Sequence, residues 1–208
     1  MSRKGTPART LLTLVAFGLV AAAAIFALAG RDAADLQLSS GIALPKPREL
    51  PDFQLADQHA QPFNRASLEG GWTLLFAGFT HCPDICPTTL ATLADIDARL
   101  QAVGAELDTV FLSLDPERDQ PAVLGPYLAH FHPGFRGATG AREEVERLMA
   151  GLGLAYIRVP TGGDGYTIDH SAALVLIDPR ARVAAYFKPP LVAERIAADL
   201  APLVDTRR

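Results

Sequence analysis

Two cysteines, Cys82 and Cys86, constrain this 208-residue chain more than any other feature, because the sequence contains no third cysteine. They follow an apolar run over Trp72–Phe79 that is typical of a buried strand, and they open an apolar-periodic stretch, Leu90–Val103, that predicts a helix. In a continuous helix the Cβ atoms of residues i and i+4 lie ~5–6 Å apart, whereas a disulfide needs ~3.8 Å. The spacing therefore favours two thiolates closing on one soft metal ion. A disulfide stays open as an alternative if Cys82 lies in the loop before the helix.

The first thirty residues differ from the rest of the chain. Three basic residues within the first nine precede the uncharged stretch Leu11–Ala29. As a helix this stretch would span roughly 28 Å, close to the thickness of a hydrocarbon core. A cleaved signal peptide is the alternative, but its apolar region normally has only ~7–15 residues. We therefore expect residues 1–30 to be an uncleaved membrane anchor, with the remainder exported, to the periplasm in a bacterium.

Residues 31–50 show no clear periodicity and contain Pro45-Lys46-Pro47, so we expect a flexible tether there and one folded domain over 51–208. No acidic residue falls within the first thirty positions, so acidic residues outnumber basic ones in the exported part. No basic stripe appears in it, which argues against a nucleic-acid partner.

The pattern of the domain begins with β-α-β units, which imply parallel strands, and ends with an antiparallel pair and a closing helix. After a short hairpin over Phe53–Phe63, the predicted strands are Trp72–Phe79, Thr109–Leu114, Leu154–Val159, Ala172–Ile177 and Arg182–Phe187. The predicted helices are Thr88–Val103, Gln120–Phe131, Glu143–Ala150 and Leu191–Leu203. This succession predicts an α/β protein with a thioredoxin-like three-layer fold and a central mixed sheet, preceded by one transmembrane helix.

The prolines at positions 83 and 87 each follow a cysteine, and proline suits the first turn of a helix. We therefore expect Cys82 near a helix N-terminus, whose free amides and dipole lower the pKa of a thiol. Thiolate is the form that binds a metal or attacks a disulfide.

A thiol pair is an incomplete metal site, and histidines at positions 59, 81, 130, 132 and 170 are candidates to complete it. A lone histidine is more often a surface or hydrogen-bonded residue than a ligand, and this is our interpretation of most of them. His170 is different, because it comes directly before the predicted strand Ala172–Ile177. In the thioredoxin layout the loop before that strand lies beside the end of the first strand. Topology therefore predicts that His170 meets Cys82 and Cys86.

Three segments, taken in order, resemble the signature of the Sco/SenC family: Phe79–Leu90, Leu114–Asp119 and Asp169-His170-Ser171. The resemblance extends from about Phe53 to Leu203. Members of this family are membrane-tethered, thioredoxin-like copper-binding proteins linked to cytochrome c oxidase assembly. We interpret the segment Asp115–Asp119, a feature of the family, as a turn and helix start and not as a direct ligand.

The resemblance implies that Cys82, Cys86 and His170 are copper ligands. Two thiolates and one imidazole suit Cu(I), and they also support Cu(II). Zinc is the rival ion, but a closed structural zinc site needs four protein ligands. We expect a copper chaperone that delivers one ion to the copper-accepting subunit of cytochrome c oxidase, with a copper donor protein as a further candidate partner. The alternatives are a thiol–disulfide oxidoreductase that reduces the cysteines of the acceptor, and a redox or copper sensor.

Overall fold

The computed structural model describes residues 36–163 and 165–204. The predicted membrane anchor over Leu11–Ala29 lies outside these residues. Within the part of the chain that is described, no helix is both long and apolar enough to cross a membrane.

The described residues form ten strands and four α-helices. The strands are β1 Ile42–Glu49, β2 Gln54–Asp57, β3 Pro62–Asn64, β4 Thr73–Gly78, β5 Asp108–Ser113, β6 Arg136–Thr139, β7 Tyr156–Gly162, β8 Gly165–His170, β9 Leu174–Ile177 and β10 Arg182–Phe187. The helices are α1 Ile85–Ala102, α2 Pro121–Ala129, α3 Arg142–Leu152 and α4 Ala193–Leu200.

Eight of the strands form one mixed sheet in the order β1-β10-β9-β4-β5-β6-β2-β3, and β7 and β8 form a separate two-stranded sheet. β4 runs parallel to β5, and β5 runs parallel to β6, as the β-α-β pattern predicted. β9 is antiparallel to both of its neighbours, β4 and β10. Every residue of β4 is buried, so both faces of the sheet are covered at its centre.

Helix α1 packs through one apolar stripe. Its buried residues Leu90, Leu93, Ile96 and Leu100 recur at the helical spacing of three or four, as predicted, and each is at most 1% exposed. Burial of each such side chain contributes ~1.5–3 kcal/mol relative to exposure. The packing of this stripe sets the direction of α1 relative to β4. It therefore also sets the position of Cys86, in the first turn of the helix.

The predicted tether over residues 31–50 was wrong in part. Ile42–Glu49 is strand β1, which pairs antiparallel with β10 at the edge of the large sheet. All eight residues of β1 are exposed or half-buried, so no clean apolar alternation marks this strand in the sequence. An edge strand of this kind draws its stability from backbone hydrogen bonds to its neighbour, which the residue pattern does not reveal.

The region before β9 also differs from the prediction. The strand predicted at Leu154–Val159 is β7, which does not join the central sheet but pairs with β8. β8 itself was not predicted, because only Ile168 among its residues is buried and the period-2 signal is weak. The short strand β6 was also missed. The resulting β7–β8 hairpin carries His170 as the last residue of β8, not in a loop.

Candidate metal centre

The two cysteines lie where the chain passes from the central strand β4 into α1. The helix begins at Ile85, so Cys86 is in its first turn and Cys82 is in the preceding loop. Cys86 is buried, Cys82 is half-buried, and both are free thiols. The sequence left a disulfide open on the condition that Cys82 precedes the helix, and the structure meets that condition.

Cys86 packs tightly against the end of β4. A Cβ atom added at Gly78 would lie 2.7 Å from the Cys86 sulfur and 3.0 Å from the Phe111 ring, so the lack of a side chain at Gly78 makes room for the sulfur. Burial raises the pKa of the Cys86 thiol far above its ordinary value, and a backbone hydrogen bond involving Phe79 opposes this only in part. For this cysteine, burial outweighs the pKa-lowering effect expected of a helix N-terminus.

The loop that carries Cys82 is held by hydrogen bonds to a buried carboxylate. Asp119 is fully buried and accepts hydrogen bonds from the Thr80 backbone N–H at 3.0 Å and from the Thr80 hydroxyl at 2.6 Å. The Ser113 hydroxyl at the end of β5 donates a third, at 2.7 Å. The segment Asp115–Asp119 thus does more than form a turn before α2, and this role of Asp119 could not be inferred from the sequence.

His170 reaches the cysteines because of the register of the central sheet. β9 runs antiparallel to β4 with Leu174 opposite Phe76, so the residues just before β9 lie at the carboxyl end of β4. The Nε2 atom of His170 lies 3.5 Å from the Cys86 sulfur. The ligand atoms of Cys82, Cys86 and His170 all lie within 4.8 Å of one another. The structure therefore brings together the three side chains that the sequence predicted.

The imidazole of His170 is held in the form that a metal needs. Its Nδ1 atom lies 3.2 Å from the Ser171 carbonyl oxygen, which can only accept a hydrogen bond, so Nδ1 carries the proton. The Nε2 lone pair then faces the cysteines, 3.5 Å from the Cys86 sulfur. The rings of Phe76 and Phe79 lie 5.9 Å and 6.1 Å from the imidazole centre. Burial lowers the pKa of His170, against smaller opposing effects of Ser171 and Asp169, which favours the neutral ring.

The sequence model of the SCO1/SenC family matches residues 43–205, most of the chain. The chain belongs to the SCO1/SenC family.

Relatives of this SCO1/SenC protein agree in sequence and in fold. A protein of Stutzerimonas stutzeri, named as a candidate copper-binding protein, is 36% identical over 174 residues, which is 83% of this chain and 85% of the relative. ScoI of Bradyrhizobium japonicum, solved with copper bound, is 35% identical with a TM-score of 0.68, covering 74% of this chain and 98% of that one. Yeast Sco1 with copper bound is 30% identical with a TM-score of 0.70, covering 75% and 88%. The thioredoxin-like α/β fold with a large central mixed sheet is thus that of solved Sco proteins.

In this SCO1/SenC protein, the hairpin that carries His170 is held by a polar cluster. The Tyr166 hydroxyl donates to Asp115 at 2.7 Å, and Arg158 contacts Asp115 at 3.3 Å and Glu117 at 2.7 Å. The Arg118 guanidinium pairs with Asp115 and stacks 4.0 Å above the Tyr166 ring. This cluster joins the hairpin to the segment between β5 and α2, the segment that also holds Asp119. Sequence reasoning missed it, because Arg158 and Tyr166 carry no recognisable spacing relative to Asp115.

The other described histidines do not belong to the group formed by Cys82, Cys86 and His170. His132 contacts Asp97 at 3.2 Å, and His81 contacts the Thr80 hydroxyl at 3.0 Å. His59 lies in the turn between β2 and β3, and His130 follows α2. Across the described ranges 36–163 and 165–204, the two cysteines with His170 are the one group of three or more His, Cys, Asp or Glu side chains placed to hold an ion.

Proposed function

We propose that this protein binds one copper ion through Cys82, Cys86 and His170 and delivers it to the binuclear copper site of a cytochrome c oxidase subunit. The observation that carries the proposal is the convergence of two sulfur atoms and one imidazole nitrogen within 4.8 Å. His170 comes to Cys86 across 84 residues of sequence, so the fold itself assembles this donor set.

The donor set fits copper. Thiolate sulfur and imidazole nitrogen together suit Cu(I), and both also support Cu(II). Cys82, Cys86 and His170 offer three protein ligands, one fewer than a closed structural zinc site uses. The His170 tautomer, with Nδ1 on the Ser171 carbonyl, leaves Nε2 available to a metal. The copper-bound structures of ScoI and yeast Sco1 support the choice of ion.

Delivery is favoured by the unequal exposure of the two thiols. Cys86 is buried in the first turn of α1, whereas Cys82 lies in a loop and is half-buried. A ligand of the acceptor subunit would therefore replace Cys82 first, while Cys86 still holds the ion. A copper donor protein would load the site through the same face.

We also place the domain on the exported side of a membrane, which is the periplasm in a bacterium, anchored by Leu11–Ala29. The uncharged length of that stretch and the basic residues before it support this placement. Immunoblotting of salt-washed membranes tests it: the full-length chain should stay with the membrane, and a shortened soluble product would contradict an anchor.

A second candidate function is thiol–disulfide exchange, favoured by the pairing of an accessible thiol with a buried one. The Cys82 thiolate would attack a disulfide of the acceptor and form a mixed disulfide, which Cys86 would then resolve. The acceptor gains two electrons and two protons as two thiols, and Cys82 and Cys86 become a disulfide. This reaction needs both sulfurs and does not need the imidazole of His170.

His170→Ala separates the two functions, with His59→Ala in the β2–β3 turn as the matched control. If the chain is a copper protein, His170→Ala should weaken Cu(I) binding at least tenfold in a competition with a chromophoric chelator, while His59→Ala should not. The rate of exchange with a small aromatic disulfide should stay within about twofold of the wild-type rate. Unchanged copper affinity and stoichiometry in His170→Ala would refute the three-ligand proposal.

A further inference from the structure

We propose that Phe79 is a positioning residue for the metal site, because its ring fixes the plane of the His170 imidazole while its backbone holds the loop that carries Cys82. This inference rests on the proposed function, since it concerns the same ligands. It goes further by assigning the direction of the His170 Nε2 atom to a residue that is not itself a ligand.

A single hydrogen bond does not fix the orientation of the His170 ring. The Nδ1 atom lies 3.2 Å from the Ser171 carbonyl oxygen, and this contact holds one atom of the ring. The torsion about the Cβ–Cγ bond of a histidine has broad minima, so the ring can tilt about that bond. The Nε2 lone pair lies in the plane of the ring and tilts with it. A second restraint is therefore needed to keep the lone pair directed at the cysteines.

Two buried aromatic rings supply that restraint. The centre of the Phe79 ring lies 6.1 Å from the imidazole centre at an interplanar angle of 86°, an edge-to-face arrangement that aromatic pairs favour. The centre of the Phe76 ring lies 5.9 Å away, with an interplanar angle of 60°. Because the two rings meet the imidazole at different angles, together they leave it little freedom to tilt.

Phe79 differs from Phe76 in its place along the chain. Phe76 lies within β4, whereas Phe79 follows the last residue of that strand and belongs to the loop that leads to Cys82. The Phe79 carbonyl oxygen accepts a hydrogen bond from the Cys82 backbone N–H at 3.2 Å. One residue thus contacts the cysteine loop through its backbone and the histidine through its ring.

The Phe79 ring has a charged neighbour as well. The guanidinium carbon of Arg118 lies 5.9 Å from the centre of this ring and 4.0 Å from the centre of the Tyr166 ring on β8. A guanidinium within ~6 Å of an aromatic face is attracted to it. Phe79 is only 2% exposed. A smaller side chain at this position would therefore leave a space into which the imidazole can tilt.

The test is Phe79→Leu in the full chain, purified in detergent, because this change removes the ring and keeps the backbone and an apolar side chain. In NMR spectra of the metal-free wild type, the His170 imidazole should give one set of signals, identified by their loss in His170→Ala. Phe79→Leu should broaden or split these signals, because the imidazole takes several orientations. Cu(I) binding, measured with copper alone against a chelator, should weaken roughly three- to tenfold, as expected for the loss of one preferred side-chain orientation.

Phe53→Leu is the matched control. Phe53 is 1% exposed, and its ring centre lies 6.1 Å from that of Phe63, so the same atoms are removed from an equally buried aromatic pair that includes no ligand. Both variants should melt at a lower temperature than the wild type, since each leaves a cavity. Phe53→Leu should leave the His170 signals and the copper affinity unchanged. If Phe79→Leu matches Phe53→Leu in both readouts, the Phe79 ring only fills space and the inference is overturned.

Phe79→Tyr separates the ring from the stability of the fold. It keeps the ring and adds a hydroxyl at a buried position, so it should melt at a lower temperature yet keep the wild-type His170 signals and copper affinity. A loss of affinity as large as that of Phe79→Leu would mean that affinity follows stability, which contradicts the inference. Phe79→Met, which has no ring and a flexible side chain, takes the place of Phe79→Leu if the latter does not fold.

The outcomes for Phe79 and for copper can be told apart. If the wild-type chain binds no Cu(I), the proposed function fails, while the His170 signals of the metal-free protein still test the role of the ring. If the wild-type chain binds Cu(I) and Phe79→Leu matches it in both the His170 signals and the affinity, the proposed function stands and the inference about Phe79 fails.

Discussion

The cysteine side and the histidine side of the site are attached to the fold in different ways. The cysteines follow the central strand β4, and the loop around Cys82 is fastened to Asp119, a carboxylate with no exposed surface. His170 ends β8, in a hairpin outside the eight-stranded sheet. This hairpin packs into the core through the buried Ile168 and is held through Asp115, a carboxylate as buried as Asp119, while Arg158 and Glu117 are partly exposed to solvent.

This difference suggests how one site can hold an ion and still release it. Hydrogen bonds to a buried carboxylate are shielded from water and salt, whereas exposed ion pairs contribute little and are screened. The thiol pair is therefore the fixed part of the site. The attachment of the imidazole depends in addition on the exposed pair between Arg158 and Glu117, so changes at this pair should alter metal retention without disturbing the thiols.

The largest effect is expected from Asp119→Ala, on the cysteine side. The change removes the acceptor of three hydrogen bonds from Thr80 and Ser113. Each buried donor left unpaired costs roughly 1–3 kcal/mol, so we expect the free energy of unfolding to fall by about 3 kcal/mol. Copper affinity should fall with it, because the loop before Cys82 loses its attachment. Urea unfolding and chelator competition measure the two effects.

Asp95→Ala is the control for that prediction, since Asp95 lies exposed on α1 and pairs with Arg99 four residues on. It should change the free energy of unfolding by no more than a few tenths of a kcal/mol. An Asp119→Ala protein as stable as this control would show that the cysteine loop does not depend on Asp119, and the contrast between the two sides would fail.

The cysteine side was also the part of the site that could best be predicted from the sequence. The apolar run Trp72–Phe79 and the stripe beginning at Leu90 are strong signals, because β4 is buried on both faces and α1 buries one face. His170 followed from topology, since an antiparallel β9 beside β4 brings the preceding residues to the cysteines. Here local pattern and global fold agree, which is when a sequence is most informative.

The rest could not be predicted, for physical reasons that vary by position. β1 and β8 pair through their backbones and bury few side chains fully, so periodicity does not mark them. The role of Asp119 depends on its burial beneath Thr80, 39 residues away in sequence.

The two sides should also differ in their response to pH. Burial raises the pKa of Cys86, so at neutral pH this thiol must lose a proton when copper binds. Burial lowers the pKa of His170, so above about pH 6.5 the imidazole is already neutral and releases none. Displacement of the Cys86 proton alone should therefore make the apparent Cu(I) affinity rise about tenfold for each unit of pH.

Chelator competition between about pH 6.5 and 8.5, together with proton release in weak buffer, measures this dependence. His170→Ala should keep the slope while lowering the affinity at every pH. A wild-type affinity that does not change over this range would mean that no thiol proton is displaced, which contradicts a buried, protonated Cys86.

On the histidine side, Tyr166→Phe should have a moderate effect. The change removes the 2.7 Å hydrogen bond to Asp115 and keeps the ring that Arg118 covers. Loss of one such bond should weaken Cu(I) binding roughly three- to tenfold through the position of His170. The alkylation rate of the cysteines should not change. Tyr156→Phe, on the same hairpin, is the control, and an equal loss in both variants would remove the role assigned to the Tyr166 hydroxyl.

The smallest effect is expected from salt, and it tests the contrast most directly. Raising ionic strength from about 0.05 M to 1 M shortens the screening length to roughly 3 Å, which weakens exposed ion pairs first. The pair between Arg158 and Glu117 is of this kind, with the Glu117 side chain 54% exposed. Cu(I) affinity should therefore fall by no more than about twofold, and thiol alkylation should not respond.

Glu117→Gln should abolish this small dependence on salt, because the pair no longer has two charges. If the alkylation rate changed with salt as much as the copper affinity did, the cysteine side would be no better shielded than the hairpin.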